Sequence, residues 1–290
     1  MSRHCSLIIN PVSGSYSARR AERIVAALRR GGLEPEILLT TGPDDAAAFA
    51  AAVCAREEEP LLVASGGDGT VNGVLNGMTP GKGTIAVLPL GTANVLALEL
   101  GLRSVDDAVA RIVRGESRPL TVGLLEGFGL RRYFSLMVGS GFDAQVVEGV
   151  RGEEKRRFGK GAYFLAAFRT LAAWDGQLLE VATAGASHQC HSVVICNAAR
   201  YGGRPVLAPG ASVFADGFQV VCIRGARRRN YLQLAWDVLR GNGPAGTNVS
   251  VFAADAVTIG GNKPVQADGD FICYGPVTVR SVPDFARIIA

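Results

Sequence analysis

Apolar residues in the first hundred or so positions come in short runs. Each run is followed by a polar, glycine-bearing turn and then by a stretch with helical spacing. "CSLIINP" reads as a buried strand stopped by Asn10-Pro11. "ARRAERIVAALRRGG" reads as an amphipathic helix with Ile24, Val25 and Leu28 on one face and Gly31-Gly32 as its stop. "EPEILLTT", "PLLVAS" and "GTIAVLPL" repeat the strand pattern, and "PDDAAAFAAAVCARE", "TVNGVLNGM", "GTANVLALELG" and "VDDAVARIVRGE" supply helices. Thr70 is expected to open the third of these helices. Such alternation predicts βαβ units and a parallel sheet covered on both faces.

Beyond about residue 120 the texture changes. "LTVGLLEG", "RRYFSLMVGSG", "LLEVATAG", "SVVICNA", "FQVVCIRG", "VSVFAADAVTIGG" and "VTVRSV" are short apolar strands punctuated by glycine turns, which is the pattern of a β-sandwich. Two helical stretches interrupt them: "GKGAYFLAAFRTLAAW", expected to be a buried core helix, and "RNYLQLAWDVLRG". The expected organisation is an α/β domain over residues 1–120 and a β-sandwich domain over residues 121–281.

Composition narrows the classes. Apolar residues at 48% and charged residues at 19% describe a folded chain, and a net charge of +4 is too weak to argue for nucleic acid. The six cysteines are scattered without C-x-x-C, several of them in apolar runs, which suits buried free thiols in a reducing compartment. No stretch approaches the roughly 20 apolar residues that span a bilayer. A cytoplasmic protein, visiting the inner membrane face at most from outside, is the expectation.

Three loops that follow apolar strands carry the candidate chemistry: Asn10-Pro-Val-Ser-Gly14, Gly66-Gly-Asp-Gly-Thr70 and Pro89-Leu-Gly-Thr-Ala-Asn94. In an open α/β sheet they emerge at the carboxyl edge, where ligands bind. Glycines let backbone N–H groups approach a phosphate, and Ser13, Thr70, Thr92 and Asn94 add side-chain donors. Any one such loop is ordinary turn geometry; three together favour a nucleotide site. G-x-x-x-x-G-K-[ST] is absent, and an acid, Asp68, stands where a phosphate loop would place a lysine.

"NPVSG", "SGGDGTVNGVLNG", "LPLGTANVLALELG", "GSGFDAQVV" and "VQADGD" follow one another in an order that resembles the diacylglycerol-kinase-like lipid kinases, whose nucleotide domain is shared with NAD kinases. The resemblance implies an α/β domain followed by a β-sandwich, with residues 282–290 returning to the first domain. It implies ATP bound by Asn10, Pro11, Ser13, Gly14, Thr40, Gly66, Gly67, Asp68, Gly69, Thr70, Asn72, Gly91, Thr92 and Asn94. A lipid hydroxyl is the implied acceptor, with Asp268 or Asp270 of "DGD" as base; the family more often has Glu at the last position. Mg²⁺ would accompany the phosphates near Asp68, and a structural Mg²⁺ would sit on Asp216 with the carbonyls of Val213 and Phe218. Two acids frequent in the family are missing, at Gly73 and Val95. They keep a non-catalytic lipid-binding descendant in play beside an NAD-kinase-like enzyme. The implied partners are ATP, a lipid and an anionic membrane surface, with homodimer formation left open.

Other clusters read more plainly. "SHQCHS", with His188, Cys190 and His191, matches no zinc spacing and is expected to be a surface turn. The basic runs Arg151–Gly161 and Arg224–Tyr231 suit solvated loops or docking to anionic headgroups. Asp143 in "GFDA" is expected to make a turn by bonding backbone N–H groups.

Overall fold

The computed structural model describes residues 3–150, 161–173, 175–244 and 246–290. By its contacts the chain forms two compact units, Met1–Thr121 with Pro283–Ala290, and Val122–Val282.

The first unit alternates as its hydrophobic pattern requires. Its elements are β1 (Arg3–Ile9), α1 (Ala18–Arg30), β2 (Leu33–Leu39), α2 (Asp45–Arg56), β3 (Leu61–Gly66), α3 (Asp68–Gly77), β4 (Thr84–Pro89), α4 (Val95–Glu99) and α5 (Val105–Arg114). The strands run parallel in the order β2-β1-β3-β4. Ile8 lies opposite both Leu38 and Ala64, and Ala64 lies opposite Val87. Leu7, Ile8, Leu62, Val63 and Ile85 are fully buried, as expected of strands covered on both faces. Truncating one of the leucines to Ala would cost about 2–5 kcal/mol. Ser17 caps α1 by accepting the Arg20 N–H at 3.2 Å, and Ser104 caps α5 by accepting from Asp107 at 3.1 Å. The carboxyl end of β16 (Val277–Ile289) adds parallel to β4, with Ile288 opposite Ile85.

The second unit holds two antiparallel sheets. Its strands are β5 (Ser117–Gly127, which begins in the first unit), β6 (Leu130–Phe134), β7 (Met137–Ser140), β8 (Leu179–Ala182), β9 (Ser187–Cys190) and β10 (Ser192–Cys196). Then come β11 (Phe218–Ile223), β12 (Val249–Ala254), β13 (Ala256–Ile259), β14 (Pro264–Ala267) and β15 (Asp270–Tyr274). One sheet runs β12-β11-β10-β7-β14-β15; the other joins β13 to β8 and β9 on one side and to β16 on the other. Side chains from both meet in one core that includes Phe134, Val138, Val181, Ile195, Val220, Ile259, Val265 and Val279. Among the described residues three helices accompany the sheets: α6 (Phe142–Glu148), α7 (Gly161–Ala172) and α8 (Arg228–Leu239).

Four local expectations change. Helix α3 begins at Asp68, two positions ahead of Thr70, with Gly67 at the cap and the acid in the first turn, where the positive helix end favours it. "SHQCHS" is no surface turn: it forms β9 and the start of β10, and His191 is 1% exposed. Helix α7 is not a core helix, since Leu165 and Phe168 are exposed. Asp143 lies in the first turn of α6 and is buried, bonded by side chains. The basic run at Arg151 lies outside the described residues, apart from Gly161.

Candidate active site

In the order β2-β1-β3-β4, β2 is added on one side of β1 and β3 on the other. The connections therefore diverge between β1 and β3, which opens a crevice beyond their carboxyl ends. Asn10 follows β1 and Gly66 ends β3, so the first two glycine-bearing loops flank that crevice. They are tied across it: Asn10 Nδ2 donates to Thr70 Oγ1 at 3.2 Å, and the Asn10 N–H donates to the Ser65 carbonyl at 3.0 Å. The Val12 N–H returns to Asn10 Oδ1 at 3.0 Å, shaping the first loop around the same side chain. Thr40, at the end of β2, is anchored by its N–H on the Ile9 carbonyl at 2.9 Å and is buried.

The third loop closes on the second. The N–H groups of Leu90 and Gly91 both donate to the Gly66 carbonyl, at 2.9 and 3.2 Å. A Cβ on Gly91 would stand 2.4 Å from the Gly67 Cα, so only glycine lets these two backbones pack. Asn94 adopts a left-handed backbone (φ 48°) and clasps Gly91 through Oδ1 and Nδ2, at 2.9 and 2.8 Å. Gly14 of the first loop packs against Thr92, whose Oγ1 would touch a Cβ there at 3.4 Å. These contacts bring together Asn10, Gly14, Gly66, Gly67, Thr70, Gly91, Thr92 and Asn94, with Pro11 and Ser13 in the first loop. Gly69 is exposed, with open space where a Cβ would lie.

Asp68 is the first residue of α3, with Gly67 at the cap and no side chain capping the helix. Its Oδ1 accepts the Leu96 N–H at 3.2 Å, in the first turn of α4. The carboxylate thus lies at the positive end of one helix and braces another. Asn72 stands apart: it is buried, its Oδ1 accepts from Asn76 at 2.9 Å, and its Nδ2 has no partner. The two missing acids have packing explanations. A Cβ on Gly73 would stand 2.9 Å from the Ala46 Cβ, and one on Gly77 would stand 2.0 Å from the Ala47 carbonyl oxygen, so these glycines seat α3 against α2. Val95 is a buried core residue. A cavity of about 560 Å³ opens among α1, α4 and α5 and reaches the third loop, with Ser15, Arg20, Arg23, Pro89, Asn94 and Arg103 in its wall.

In the second unit the two acids of "DGD" differ sharply. Asp268 has a left-handed backbone (φ 49°), and its carboxylate accepts from the Ser135 N–H and hydroxyl (2.8 and 3.2 Å) and from the Leu136 and Met137 N–H groups (both 2.9 Å). It clamps the link between β6 and β7. Asp270 opens β15 and is exposed. The turn between them is held by Gln266, whose Oε1 accepts the Gly269 N–H at 2.8 Å while Nε2 donates to Asp143 at 2.7 Å. The Tyr201 hydroxyl donates to the other Asp143 oxygen. Burial pushes the Asp143 carboxyl above the usual carboxylate range, against these two donors. Sequence reasoning missed this network, although "GFDA" and "VQADGD" carry both of its ends.

The turn from Val213 to Phe218 offers backbone carbonyls and the exposed Asp216 carboxylate, an all-oxygen set suited to a hard cation. The Asp255 carboxylate lies close by, since a Cβ on Gly217 would stand 2.5 Å from its Oδ1. No group of three or more His, Cys, Asp or Glu side chains clusters among the described residues, so carbonyl oxygens and water would complete any such site.

Residues 4–125 match the family described as diacylglycerol kinase catalytic domain, and residues 136–290 match the YegS C-terminal NAD kinase beta sandwich-like domain. A diacylglycerol kinase of Bacillus subtilis (strain 168) is 28% identical over 221 residues, covering 73% of this chain and 71% of that protein. A diacylglycerol kinase of Mycobacterium tuberculosis (strain ATCC 25618 / H37Rv) is 25% identical over 294 residues, covering 97% of this chain and 93% of that one. A crystal structure of a diacylglycerol kinase from Bacillus anthracis str. Sterne shares the fold, with a TM-score of 0.78 at 21% identity over 99% of this chain and 96% of that chain. The two matched domains define the class, a lipid kinase. Residues 136–290 are more than half of the chain, which therefore belongs to the family with the YegS C-terminal NAD kinase beta sandwich-like domain, here preceded by the diacylglycerol kinase catalytic domain.

Proposed function

We propose that the protein transfers the γ-phosphate of ATP to a hydroxyl of a diacylglycerol-like or long-chain lipid. The observation that supports it most is the Asn10–Thr70 hydrogen bond across the β1/β3 crevice, beside the uncapped start of α3. Glycine backbone and the positive helix end there suit a polyphosphate. In this reading Asn10 to Gly14, Thr40, Gly66 to Thr70, Gly91, Thr92 and Asn94 surround the nucleotide. Asn72 acts from behind by stiffening α3 through Asn76.

Phosphoryl transfer needs positioning and charge neutralisation more than covalent chemistry. Asp68 would help to hold Mg²⁺ beside the phosphates, and the ion would supply charge neutralisation there. A second Mg²⁺ on Asp216 and the carbonyls of Val213 and Phe218 would tie the turn before β11. Asp270 takes the proton of the acceptor hydroxyl. Asp268 spends its lone pairs on the chain at 135–137, and its role is to hold the turn that presents Asp270. The acceptor's place in a bilayer implies peripheral contact with an anionic membrane surface.

The test is transfer from γ-labelled ATP to a panel of lipid alcohols, with NAD as a competing acceptor. Labelled lipid phosphate, lost in Asp270→Asn while the variant still binds ATP, is the expected result. Labelled NADP, or full transfer by Asp270→Asn, would overturn the acceptor or the base.

A further inference from the structure

Helix α8 is apolar on both of its arcs. Tyr231 is buried and Leu234 and Val238 on the same side are half-buried, whereas Leu232, Trp236 and Leu239 are 61, 56 and 71% exposed. Their i, i+4, i+7 spacing sets these three on one stripe. Helix α7 repeats the pattern with Leu165, Phe168 and Ala172, Phe168 being 72% exposed. The two helices meet where the Arg228 guanidinium donates to the Ala172 carbonyl at 3.3 Å. A soluble surface seldom leaves so many large apolar side chains on adjacent helices without a use for them.

The underside of α8 is fixed by a buried chain of hydrogen bonds. The Asp175 carbonyl can only accept, so His191 Nε2 donates to it (2.7 Å) and Nδ1 accepts from the Tyr231 hydroxyl (2.6 Å). Tyr231 in turn accepts from Ser192 Oγ (2.5 Å), which itself accepts the Phe142 N–H (2.9 Å). Rolling Tyr231 outward would break its hydrogen bonds to His191 and Ser192, so these bonds hold the buried side of α8 down and leave the stripe exposed. Among the described residues flanking the α8 stripe the exposed charges are positive. Arg224, Arg227, Arg228 and Arg229 are exposed at the amino end of α8, and the Arg240 guanidinium stacks over the Trp236 ring at 4.2 Å. Asp237, the acid within α8, is half-buried on the flank away from the stripe.

We propose that the α7–α8 face is an interfacial anchor lying on an anionic phospholipid bilayer. Phe168, Leu232, Trp236 and Leu239 enter the acyl boundary, and the arginines meet the headgroup phosphates. Among the described residues no helix is long and apolar enough to cross a membrane, so the face lies in the plane of the surface. The arginines about the stripe complement anionic headgroups, whereas a second copy would bring further positive charge to the same contact, and this favours the bilayer. The proposal rests on the reading that the acceptor is a membrane lipid.

The test uses the whole protein and vesicles of phosphatidylcholine, alone or mixed with phosphatidylglycerol. The wild type is expected to sediment with the mixed vesicles, in a salt-sensitive manner. The combination Leu232→Ser, Trp236→Ser and Leu239→Ser, and separately Arg227→Glu with Arg229→Glu, should each lower the bound fraction about tenfold. Both variants should keep transfer to a short-chain acceptor offered without vesicles. In a protein carrying Trp174→Phe, the remaining Trp236 should shift its emission to the blue on mixed vesicles and be quenched by acyl-brominated lipid. Unchanged binding by both variants with no quenching of Trp236 would overturn the proposal. So would a dimer that the triple substitution splits in the absence of any vesicle binding. Failure of the wild type on the short-chain acceptor would instead strike at the kinase reading, whatever the vesicles do.

Discussion

The carboxylate of Asp68 accepts the backbone N–H of Leu96 at 3.2 Å, so the acid of the glycine loop braces the helix that follows the next strand. This gives the residue two separable duties, one through its shape and one through its charge. Asp68→Asn keeps an acceptor oxygen and loses the charge. Its unfolding free energy is expected within about 1 kcal/mol of wild type, while transfer from labelled ATP falls about a hundredfold or more. Asp68→Ala should lose both. Urea unfolding beside the transfer assay separates the two duties, and an Asp68→Asn enzyme at full rate would take the charge out of the mechanism.

Asp268 and Asp270 divide in the opposite way. Removing the Asp268 carboxylate strands the N–H groups of Ser135, Leu136 and Met137. Asp268→Ala is therefore expected to cost about 2–4 kcal/mol of stability. Asp270 is exposed at the start of β15, so Asp270→Asn should leave the unfolding midpoint in place and lower kcat. A stable, inactive Asp268→Asn beside an active Asp270→Asn would reverse the assignment.

The parallel sheet and the position of its loops were legible because they depend on local pattern: apolar runs, caps and glycine stops. Their meeting was legible too, since loops following neighbouring parallel strands must share an edge. What stayed hidden depended on contacts distant in sequence. His191 looked like a surface residue because "SHQCHS" is polar; its burial comes from Tyr231, forty positions on, and from the Asp175 carbonyl. The acids of "DGD" looked equivalent, and only the link between β6 and β7 tells them apart. Helix α7 looked like core because it is apolar nearly all round, and apolarity alone does not say whether an exposed arc has a partner.

The glycine at 73 bears on catalysis only if a glutamate could stand there. On this backbone the Cβ would press the Ala46 Cβ at 2.9 Å. Gly73→Glu is expected to cost about 1–3 kcal/mol and to add nothing to the transfer rate. Gly77→Ala, aimed at the Ala47 carbonyl, should cost at least as much despite the better helix propensity of alanine. Ala46→Gly should restore much of the loss in Gly73→Glu and none in Gly77→Ala. A Gly73→Glu enzyme that gained activity would show that α2 yields and that the vacancy is catalytic.

His191 and Asp143 bend the pH dependence of stability in opposite directions. Burial holds the His191 imidazole below its ordinary value. From there up to about 6.5 the unfolded chain binds a proton that the folded chain refuses, so this stability is lost as pH falls below about 6.5. Burial holds the Asp143 carboxyl above its ordinary value. From about 3.9 upward the folded chain keeps a proton that the unfolded chain has released, so this contribution shrinks as pH rises toward the folded value. Wherever these two ranges overlap between the ordinary carboxylate and imidazole values, the two slopes oppose each other and flatten the wild-type curve. Asp143→Asn removes the falling term, and its stability should climb with pH more steeply than that of the wild type. His191→Gln removes the rising term, and its stability should climb less steeply or fall. Urea midpoints for the three proteins across that window decide the matter; parallel curves would mean that neither group is carried into the fold in the protonation state its burial dictates.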